Sequence, residues 1–309
     1  MSGLIEKVRR KKWIPFFVIA AMIFAVSMLT GRTHPLIAAG VSLLLSYGVV
    51  DLYIKRETEN LDRLNGKLIK EREIRQEFFS NASHELKTPI TSIRGYAELL
   101  ENGMVPDAEM QKDMIHRIRT EAERMTDLIG DILAVSKLEA HDVKPELMEI
   151  NVTELIADRV AAFEPKAREA KVTLCNYAMN HVHVRADYRQ MEEVVSNLIS
   201  NAIRYNKRLG KVWISASNEN GFMVLRVRDT GIGFAEEEKE KIFNRFYRVD
   251  KGRSRETGGT GLGLSIVKHI VSYYGGSIDV SSKPGSGTEF IVRIPEEGAG
   301  AYAGESAIK

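Results

Sequence analysis

Cysteine is nearly absent from the 309-residue sequence, which contains only Cys175. A disulfide framework within the chain is therefore excluded, and no metal-ligand spacing surrounds this residue. We expect Cys175 to be a small buried or half-buried side chain. The formal net charge is only +2, which gives no general reason to expect a nucleic acid or an acidic partner. The length allows one large domain or two to three small ones.

Charge is also missing from two apolar stretches near the start of the chain, residues 13–30 and 36–50. With four more residues, the second approaches the ~20 residues that a helix needs to cross a bilayer. The short segment between them contains Gly31 and Pro35, which interrupt helices. Residues 1–54 are therefore predicted to form a basic cytoplasmic start and a hairpin of two transmembrane helices with a very short outer turn.

Basic residues flank this predicted membrane hairpin, five of them at positions 7–12 and two more at Lys55 and Arg56. The positive-inside rule places both flanks in the cytoplasm. The alternative is a signal peptide, but the first stretch is long for one and no small-residue cleavage site precedes a soluble domain. The outer turn leaves no room for a ligand-binding domain, so we expect sensing within the membrane or through a partner membrane protein.

Residues 55–78 are highly charged and contain leucines at three- and four-residue spacing, Leu61, Leu64 and Leu68. This spacing fits either a coiled-coil seam or the apolar edge of a solvated amphipathic helix. Both interpretations predict a helical linker.

Residues 79–139 carry two helical patterns separated by breakers at 102–103 and 106–107. Two long helices joined by a short turn form an antiparallel hairpin. A single hairpin leaves its apolar stripe facing water, so we expect two copies to pair into a dimeric four-helix bundle. Pro89, inside the first helix, is predicted to kink it next to His84.

Residues 140–296 alternate between strand-like and helix-like segments. This pattern predicts an α+β sandwich with helices on one face of a mixed sheet. Asp187 is expected to cap a helix that extends to Asn206, and residues 218–221 are expected to form a hairpin turn. The Gly- and Ala-rich residues 297–309 are predicted to be a flexible tail.

Polar residues in this second half point to nucleotide chemistry. Asn197 and Asn201 are four apart and share a helix face, and Asn201 can offer an oxygen to Mg²⁺. Asp229 ends a strand, where a carboxylate can accept a hydrogen bond from an adenine amino group. The following Gly231 and Gly233 permit a tight turn beside the ring.

Residues 258–265 are rich in glycine and lead into a helix, whose N-terminus offers N–H groups to phosphate oxygens. The stretch nearly matches a P-loop, but Leu264 stands at the lysine position, and a P-loop is excluded. The spacing is not that of a Rossmann loop either. The aromatic and basic residues 243–248 fit either a lid or part of the core.

The order of these motifs resembles that of the sensor histidine kinases of two-component systems. His-Glu-Leu-Lys-Thr-Pro at residues 84–89 is followed by the paired asparagines, Asp-x-Gly-x-Gly, Phe-x-x-Phe-Tyr and Gly-x-Gly-x-Gly, all within residues 78–295. The resemblance implies a dimerisation and phosphoacceptor hairpin followed by an ATP-binding domain of the Bergerat (GHKL) type. It implies autophosphorylation of the histidine from ATP, transfer to an aspartate of a response regulator, and dephosphorylation of that regulator.

The resemblance also assigns roles to individual residues. His84 is the phosphoacceptor, Glu85 assists it, and Thr88 positions a water for the phosphatase reaction, unless its hydroxyl only bonds its own helix backbone. Asn201 is the Mg²⁺ ligand, and the family often has lysine where Arg204 stands, which keeps the charge but changes the geometry. The implied nucleotide-binding residues are Asn197, Asn201, Arg204, Tyr205, Asp229, Gly231, Gly233, Phe243, Phe246, Gly259, Thr260, Gly261, Leu262 and Gly263.

The implied cofactors are ATP and Mg²⁺, and the implied partners are a second copy of the chain and a cognate response regulator, with no direct nucleic acid contact. The implied location is the bacterial cytoplasmic membrane, multi-pass, with the kinase domains in the cytoplasm. Two alternatives stay open. One is a non-catalytic or phosphatase-dominant signalling scaffold gated by nucleotide. The other is a gyrase-type ATPase, which carries a water-activating glutamate where this chain has Asn197.

Overall fold

The computed structural model describes Met22, Ala25 and residues 35–139, 145–179, 181–249 and 259–298. Apart from Met22 and Ala25, the first predicted membrane span lies outside the described residues, as does the tail from residue 299. Within the part of the chain that is described, no helix is long and apolar enough to cross a membrane. The predicted membrane hairpin is therefore not confirmed.

The chain divides into two compact units, Met1–Glu77 and Phe78–Lys309. Helix α1 (Pro35–Glu101) begins in the first unit and ends in the second. Helix α2 (Ala108–Glu139) lies wholly in the second. The predicted helical hairpin is confirmed, and the predicted helical linker is part of α1.

The turn between α1 and α2 forms where the sequence places its breakers. Asn102 donates a side-chain hydrogen bond to the carbonyl of Glu98 (2.8 Å), and Gly103 adopts a left-handed φ of 63°. The Asp107 carboxylate then accepts a hydrogen bond from the backbone N–H of Met110 (3.2 Å), as an N-cap does. Pro89 is buried inside α1, which continues past it, and the kink there stays a prediction.

The rest of the second unit alternates strands and helices. The elements are β1 (Met148–Asn151), α3 (Val152–Glu169), β2 (Thr173–Asn176), β3 (His183–Ala186), α4 (Tyr188–Arg204), β4 (Lys211–Glu219), β5 (Phe222–Asp229), α5 (Gly263–Tyr273), β6 (Ser277–Lys283) and β7 (Gly287–Pro295). Two short 3₁₀ turns, Glu236–Glu238 and Lys241–Phe243, follow β5.

Five strands form one mixed sheet in the order β2-β4-β5-β7-β6. Strand β2 is parallel to β4, and the other neighbours are antiparallel. Strands β1 and β3 form a separate antiparallel pair. The mixed sheet agrees with the predicted α+β sandwich.

Alternating burial shows how helices cover this sheet. Val212 and Ile214 of β4 are fully buried, whereas Trp213 between them is partly exposed. The apolar sides of the strands and of α3, α4 and α5 share one hydrophobic cluster. Burial of this apolar surface is the main favourable term in folding. The cluster also contains Phe78 of α1 and Leu128 of α2, so the hairpin packs on the same core.

Candidate functional site

Helix α4 is held at its start and carries the paired asparagines further along. Asp187 caps it as predicted, because its carboxylate accepts hydrogen bonds from the N–H groups of Arg189 (2.9 Å) and Gln190 (3.2 Å). Asn197 donates through its amide nitrogen to the backbone carbonyl (3.0 Å) and the carboxylate (2.9 Å) of Glu193. The amide oxygen of Asn197 is thereby left to face the start of α5.

A cavity of about 510 Å³ opens between the end of α4 and the end of β5. We call it the first cavity. Its apolar lining consists of Ile232, Phe234, Ile242, Val249, Leu264 and Phe290. Its polar and charged lining includes Asn201, Arg204, Tyr205, Asn206, Lys207, Arg208, Asp229, Tyr247, Arg248 and Thr288. A concave site that combines apolar walls with convergent polar groups is typical of a site for a small organic ligand.

Asp229 is the single acid among the described residues that line the first cavity, and it is only 6% exposed. One carboxylate oxygen, Oδ1, accepts hydrogen bonds from the N–H groups of Gly231 (2.6 Å) and Thr288 (3.3 Å). Burial raises the pKa of Asp229 to about 6, against the opposing effect of these two N–H groups. A buried acceptor at the end of a strand can select a ligand that carries an amino group.

The turn after Asp229 is fixed from two sides. Gly233 adopts a left-handed φ of 59° and lies against the carbonyl of Lys283, where a Cβ has no space. On the other side, the Thr230 hydroxyl donates to the side-chain oxygen of Asn206 (3.0 Å) just beyond α4. The predicted tight turn is therefore present beside the cavity.

A second cavity of about 480 Å³ lies between α2, α4 and the start of α5. It shares Asn201, Arg204, Tyr205, Ile242, Tyr247 and Leu264 with the first cavity, so the two adjoin. Its own lining includes Asp127, Asp131, Lys166, Glu193, Asn197, Thr260, Gly261 and Gly263. The structure thus brings both asparagines, Arg204, Tyr205 and the glycine-rich loop together around one space.

The glycine-rich loop, Gly259 to Gly263, runs directly into α5. Gly261 adopts a left-handed φ of 74° with its Cα against the backbone of Phe246, so a side chain there meets backbone atoms. Leu262 is fully buried and anchors the loop in the core. Gly259 is buried next to Arg204 and Tyr205. The N-terminus of α5 consequently faces the second cavity through Gly263.

His84, Glu85 and Thr88 lie on the exposed side of α1, and none of them lines either cavity. The Thr88 hydroxyl lies 3.4 Å from the His84 carbonyl, the backbone contact that was the alternative to a catalytic role. Burial lowers the pKa of Arg248, and the nearby charges of Tyr205 and Glu85 oppose that shift. Arg248, which lines the first cavity, is thus close enough to Glu85 for their charges to interact.

The two predicted phenylalanines do not line either cavity. The ring of Phe246 packs 5.7 Å from that of Phe78 on α1, and Phe243 lies under Lys268 at 5.4 Å. The neighbouring Tyr247 and Arg248 line the first cavity instead. The cluster at 243–248 therefore does reach the first cavity, but through Tyr247 and Arg248 and not through the phenylalanines, and sequence alone does not show which of its side chains face the cavity.

Two family models match the chain. Residues 74–141 match the His Kinase A (phospho-acceptor) domain. Residues 186–298 match the histidine kinase-, DNA gyrase B-, and HSP90-like ATPase. The first match contains the exposed His84, and the second contains both asparagines, Asp229 and the glycine-rich loop.

Two curated relatives match this chain over part of their own, longer chains. Sensor-like histidine kinase SenX3 of Mycolicibacterium smegmatis is 36% identical over 222 residues, which cover 72% of this chain and 58% of SenX3. Sensor histidine kinase WalK of Bacillus subtilis is 35% identical over 223 residues, which cover 72% of this chain and 36% of WalK. The chain therefore spans less than two thirds of the length of these relatives.

Two solved structures are similar across most of the chain. Histidine kinase AdeS of Acinetobacter baumannii is 27% identical, with a TM-score of 0.55, and the match covers 69% of this chain and 98% of that one. Histidine kinase ThkA, solved in complex with response regulator protein TrrA, is 28% identical with a TM-score of 0.58, and the match covers 75% of this chain and 66% of that one.

Proposed function

We propose that the chain, which matches the phospho-acceptor domain over residues 74–141 and the histidine kinase-like ATPase over residues 186–298, is a two-component histidine kinase that phosphorylates itself on His84 from ATP and passes the phosphoryl group to an aspartate of a cognate response regulator. The observation that carries the proposal is the pair of adjoining cavities. One contains a buried acid and the other ends on a glycine-rich loop at a helix N-terminus, in the same unit as an exposed histidine.

ATP fits these cavities in one orientation. The adenine lies in the first cavity, where its amino group donates to Asp229, and the phosphates extend into the second towards the N-terminus of α5. Arg204 and Tyr205 line both cavities and contact the part of the nucleotide between them.

Asn201 would hold Mg²⁺ through its side-chain oxygen, together with phosphate oxygens and water. Asn201 lines both cavities, and Mg²⁺ prefers oxygen ligands while keeping several waters. Among the described residues there is no group of three or more His, Cys, Asp or Glu side chains that could hold a metal. A single amide ligand plus the substrate phosphates therefore suits this chain better than a site built from protein groups alone.

Every bond and proton of the phosphoryl transfer can be accounted for with the residues present. The neutral imidazole of His84 attacks the γ-phosphorus, the bond to the bridging oxygen breaks, and ADP leaves with that electron pair. Glu85 accepts the other ring proton and keeps the attacking lone pair available. Arg204, which lines both cavities, offsets the charge on the phosphates, in keeping with a reaction that depends on positioning and electrostatics. Because His84 lines neither cavity, the ATP-binding part has to move relative to the hairpin before transfer.

Labelling with γ-labelled ATP tests the acceptor. The full chain with Mg²⁺ takes up label, and His84→Gln reduces it to background because the nucleophile is gone. His116→Gln, which changes another exposed histidine on α2, labels like the wild type. Labelling of His84→Gln at the wild-type rate would show that the acceptor lies elsewhere.

Thr88 is one helical turn beyond His84 on the same exposed side of α1, and we assign it to the phosphatase reaction. There its hydroxyl positions a water that attacks the phosphoaspartate of the regulator. Thr88→Ala is expected to slow regulator dephosphorylation roughly tenfold, a loss of about 1.4 kcal/mol of transition-state stabilisation. Thr88→Ser retains the reaction, and labelling of His84 is unchanged in both. Equal dephosphorylation by Thr88→Ala and wild type would leave only the backbone contact as its role.

Membrane attachment rests on the sequence pattern at residues 1–54. We place two spans there in the bacterial cytoplasmic membrane, with residues 55–78 as linker, 79–139 as phosphoacceptor domain, 140–296 as ATP-binding domain and 297–309 as tail. Carbonate extraction of membranes from cells expressing the full chain should leave it in the pellet, because transmembrane spans resist removal. Its recovery in the soluble fraction would argue against the anchor. That result would leave the assignment of His84 as the phosphoacceptor untouched, because the labelling experiment tests it separately.

A further inference from the structure

A hydrogen bond joins the phosphoacceptor hairpin to the glycine-rich loop. The Thr260 hydroxyl donates to the carboxylate of Asp131 on α2, at 2.5 Å. The same hydroxyl oxygen accepts a hydrogen bond from the N–H of Leu262 at 3.2 Å, so it also fixes the loop itself. Asp131 therefore holds the conformation and the position of the loop from outside the ATP-binding part.

Asp131 brings negative charge to the place where the phosphates would lie. Three carboxylates line the second cavity, those of Asp127, Asp131 and Glu193. Burial raises the pKa of Asp131 to about 6, with the Thr260 hydrogen bond opposing the shift and Glu193 adding to it. Because this pKa is still below 7, the carboxylate is ionised at neutral pH. In a half-buried site its repulsion of another negative charge is stronger than in water.

A second contact, made by the other helix of the hairpin, accompanies the first. Phe78 of α1 is only 4% exposed, packs against Phe246, and lies under the guanidinium of Arg245 at 5.4 Å. Phe246 in turn donates its N–H to the carbonyl of Gly261 at 2.9 Å. Both helices of the hairpin thus contact the segments that surround the glycine-rich loop.

We propose that Asp131 is an autoinhibitory latch, in which its hydrogen bond to Thr260 holds the hairpin over the second cavity and its charge opposes entry of the ATP triphosphate. The proposal rests on the proposed function, because it takes the second cavity to be the phosphate site. Triphosphate binding breaks the latch, and the released ATP-binding part is then free to approach His84. By thermodynamic linkage, docking weakens ATP binding by the same factor that ATP binding weakens docking.

Equilibrium binding to the full chain in Mg²⁺ buffer at pH 7.5 tests the latch, with a non-hydrolysable ATP analogue and adenosine as the two probes. Asp131→Asn, which keeps the shape and removes the charge, is expected to bind the ATP analogue roughly tenfold more tightly, the equivalent of about 1.4 kcal/mol. Adenosine affinity is expected to stay within about twofold, because adenosine carries no phosphate to be repelled.

Asp127→Asn is the matched control, since Asp127 lines the same cavity on the same helix but is not the partner of Thr260. Its affinity for the ATP analogue is expected to rise less than about twofold. Asp131→Ala, which removes both charge and acceptor on a helix that favours alanine, should match or exceed the effect of Asp131→Asn.

Three results would overturn the latch while leaving the proposed function intact. They are unchanged or weaker binding of the ATP analogue by both Asp131 variants, an equal gain in Asp127→Asn, or an equal gain for adenosine. A wild-type chain that binds neither probe would overturn the proposed function and the latch with it.

Discussion

Ionisation of Asp229 lowers the stability of the fold but favours binding of an adenine amino group. Burial raises its pKa from 3.8 to about 6, so the folded chain binds a proton that the unfolded chain releases over this pH range. Where the folded state holds more protons, stability falls as pH rises, and this loss is complete above about pH 6. Two pKa units correspond to about 3 kcal/mol as an upper value.

Asp229→Asn is therefore expected to stabilise the chain. The amide oxygen can still accept from Gly231 and Thr288, while the cost of burying a charge is removed. We expect a gain of about 1–2 kcal/mol at pH 7.5 that disappears near pH 4. Urea unfolding at both pH values measures it. A gain that is the same at pH 4 and pH 7.5 would show that ionisation of Asp229 is not its source.

Adenosine binding should show the opposite pH dependence in the wild-type chain. The ionised carboxylate accepts from the adenine amino group, so affinity falls as pH drops through about 6. Adenosine is the suitable probe because it carries no phosphates. The pKa of Asp131 is also about 6, and its protonation would change the affinity for a ligand with phosphates over the same pH range. Titration from pH 5 to pH 8 by calorimetry measures this, and Asp229→Asn should bind weakly with a flat profile.

Sequence predicted those candidate site residues whose motifs are local. Asp229, Gly231 and Gly233 lie within five residues of sequence, and Asn197 and Asn201 lie one helical turn apart, so local spacing is enough to predict them as candidates. Asp131 gave no such signal, because its partner Thr260 is distant along the chain and the residue resembles any acid on a charged helix face. Tertiary contacts of this kind are not encoded in a local pattern.

At the scale of elements, α4 is positioned by the residue that ends α5. Tyr274 is fully buried, accepts a hydrogen bond from the N–H of Asp187 (3.0 Å) and donates one to the side chain of Gln190 (2.6 Å). Burial raises the pKa of Tyr274 to about 12, so the phenol stays protonated and able to donate. The start of the helix that carries both asparagines therefore depends on one hydroxyl.

Tyr274→Phe is expected to destabilise the chain by about 1–3 kcal/mol, because it leaves the N–H of Asp187 and the amide of Gln190 without their buried partner. Chemical denaturation with circular dichroism measures the change. Tyr177→Phe, at a tyrosine that is 64% exposed, provides the control and should stay within about 0.5 kcal/mol. Equal losses in both variants would mean that the buried hydroxyl has no special role.

Element boundaries were predictable where turn chemistry is local. The helix expected from Asp187 to Asn206 is observed as Tyr188–Arg204, with the expected cap. The hairpin turn is tighter than the predicted four residues, because Asn220 and Gly221 both take left-handed φ values and β4 continues to Glu219. Strand order was not predictable, since β7 inserts between β5 and β6 and such pairings are not local.

At the scale of the whole molecule, α2 presents apolar side chains on two sides. Leu128 and Val135 are buried in the core shared with the ATP-binding part. Ile115 and Leu133 are 58% and 54% exposed, and their spacing corresponds to about five full turns, which puts them on one face. That face is roughly opposite Leu128, so docking of the ATP-binding part leaves it uncovered.

A second copy of the hairpin is the partner we propose for this uncovered face, in a four-helix bundle that buries both stripes. Ile115→Glu places a charge in that interface and is expected to convert the dimer to a monomer, as measured by light scattering of the full chain in detergent. Leu209→Glu, at a residue of the ATP-binding part that is 81% exposed, should leave the dimer intact. The bundle would be refuted if Ile115→Glu remained dimeric, or if Leu209→Glu dissociated equally. Because the latch joins residues of one chain, tighter ATP binding by Asp131→Asn should persist in the Ile115→Glu background, which separates control of the nucleotide site from assembly.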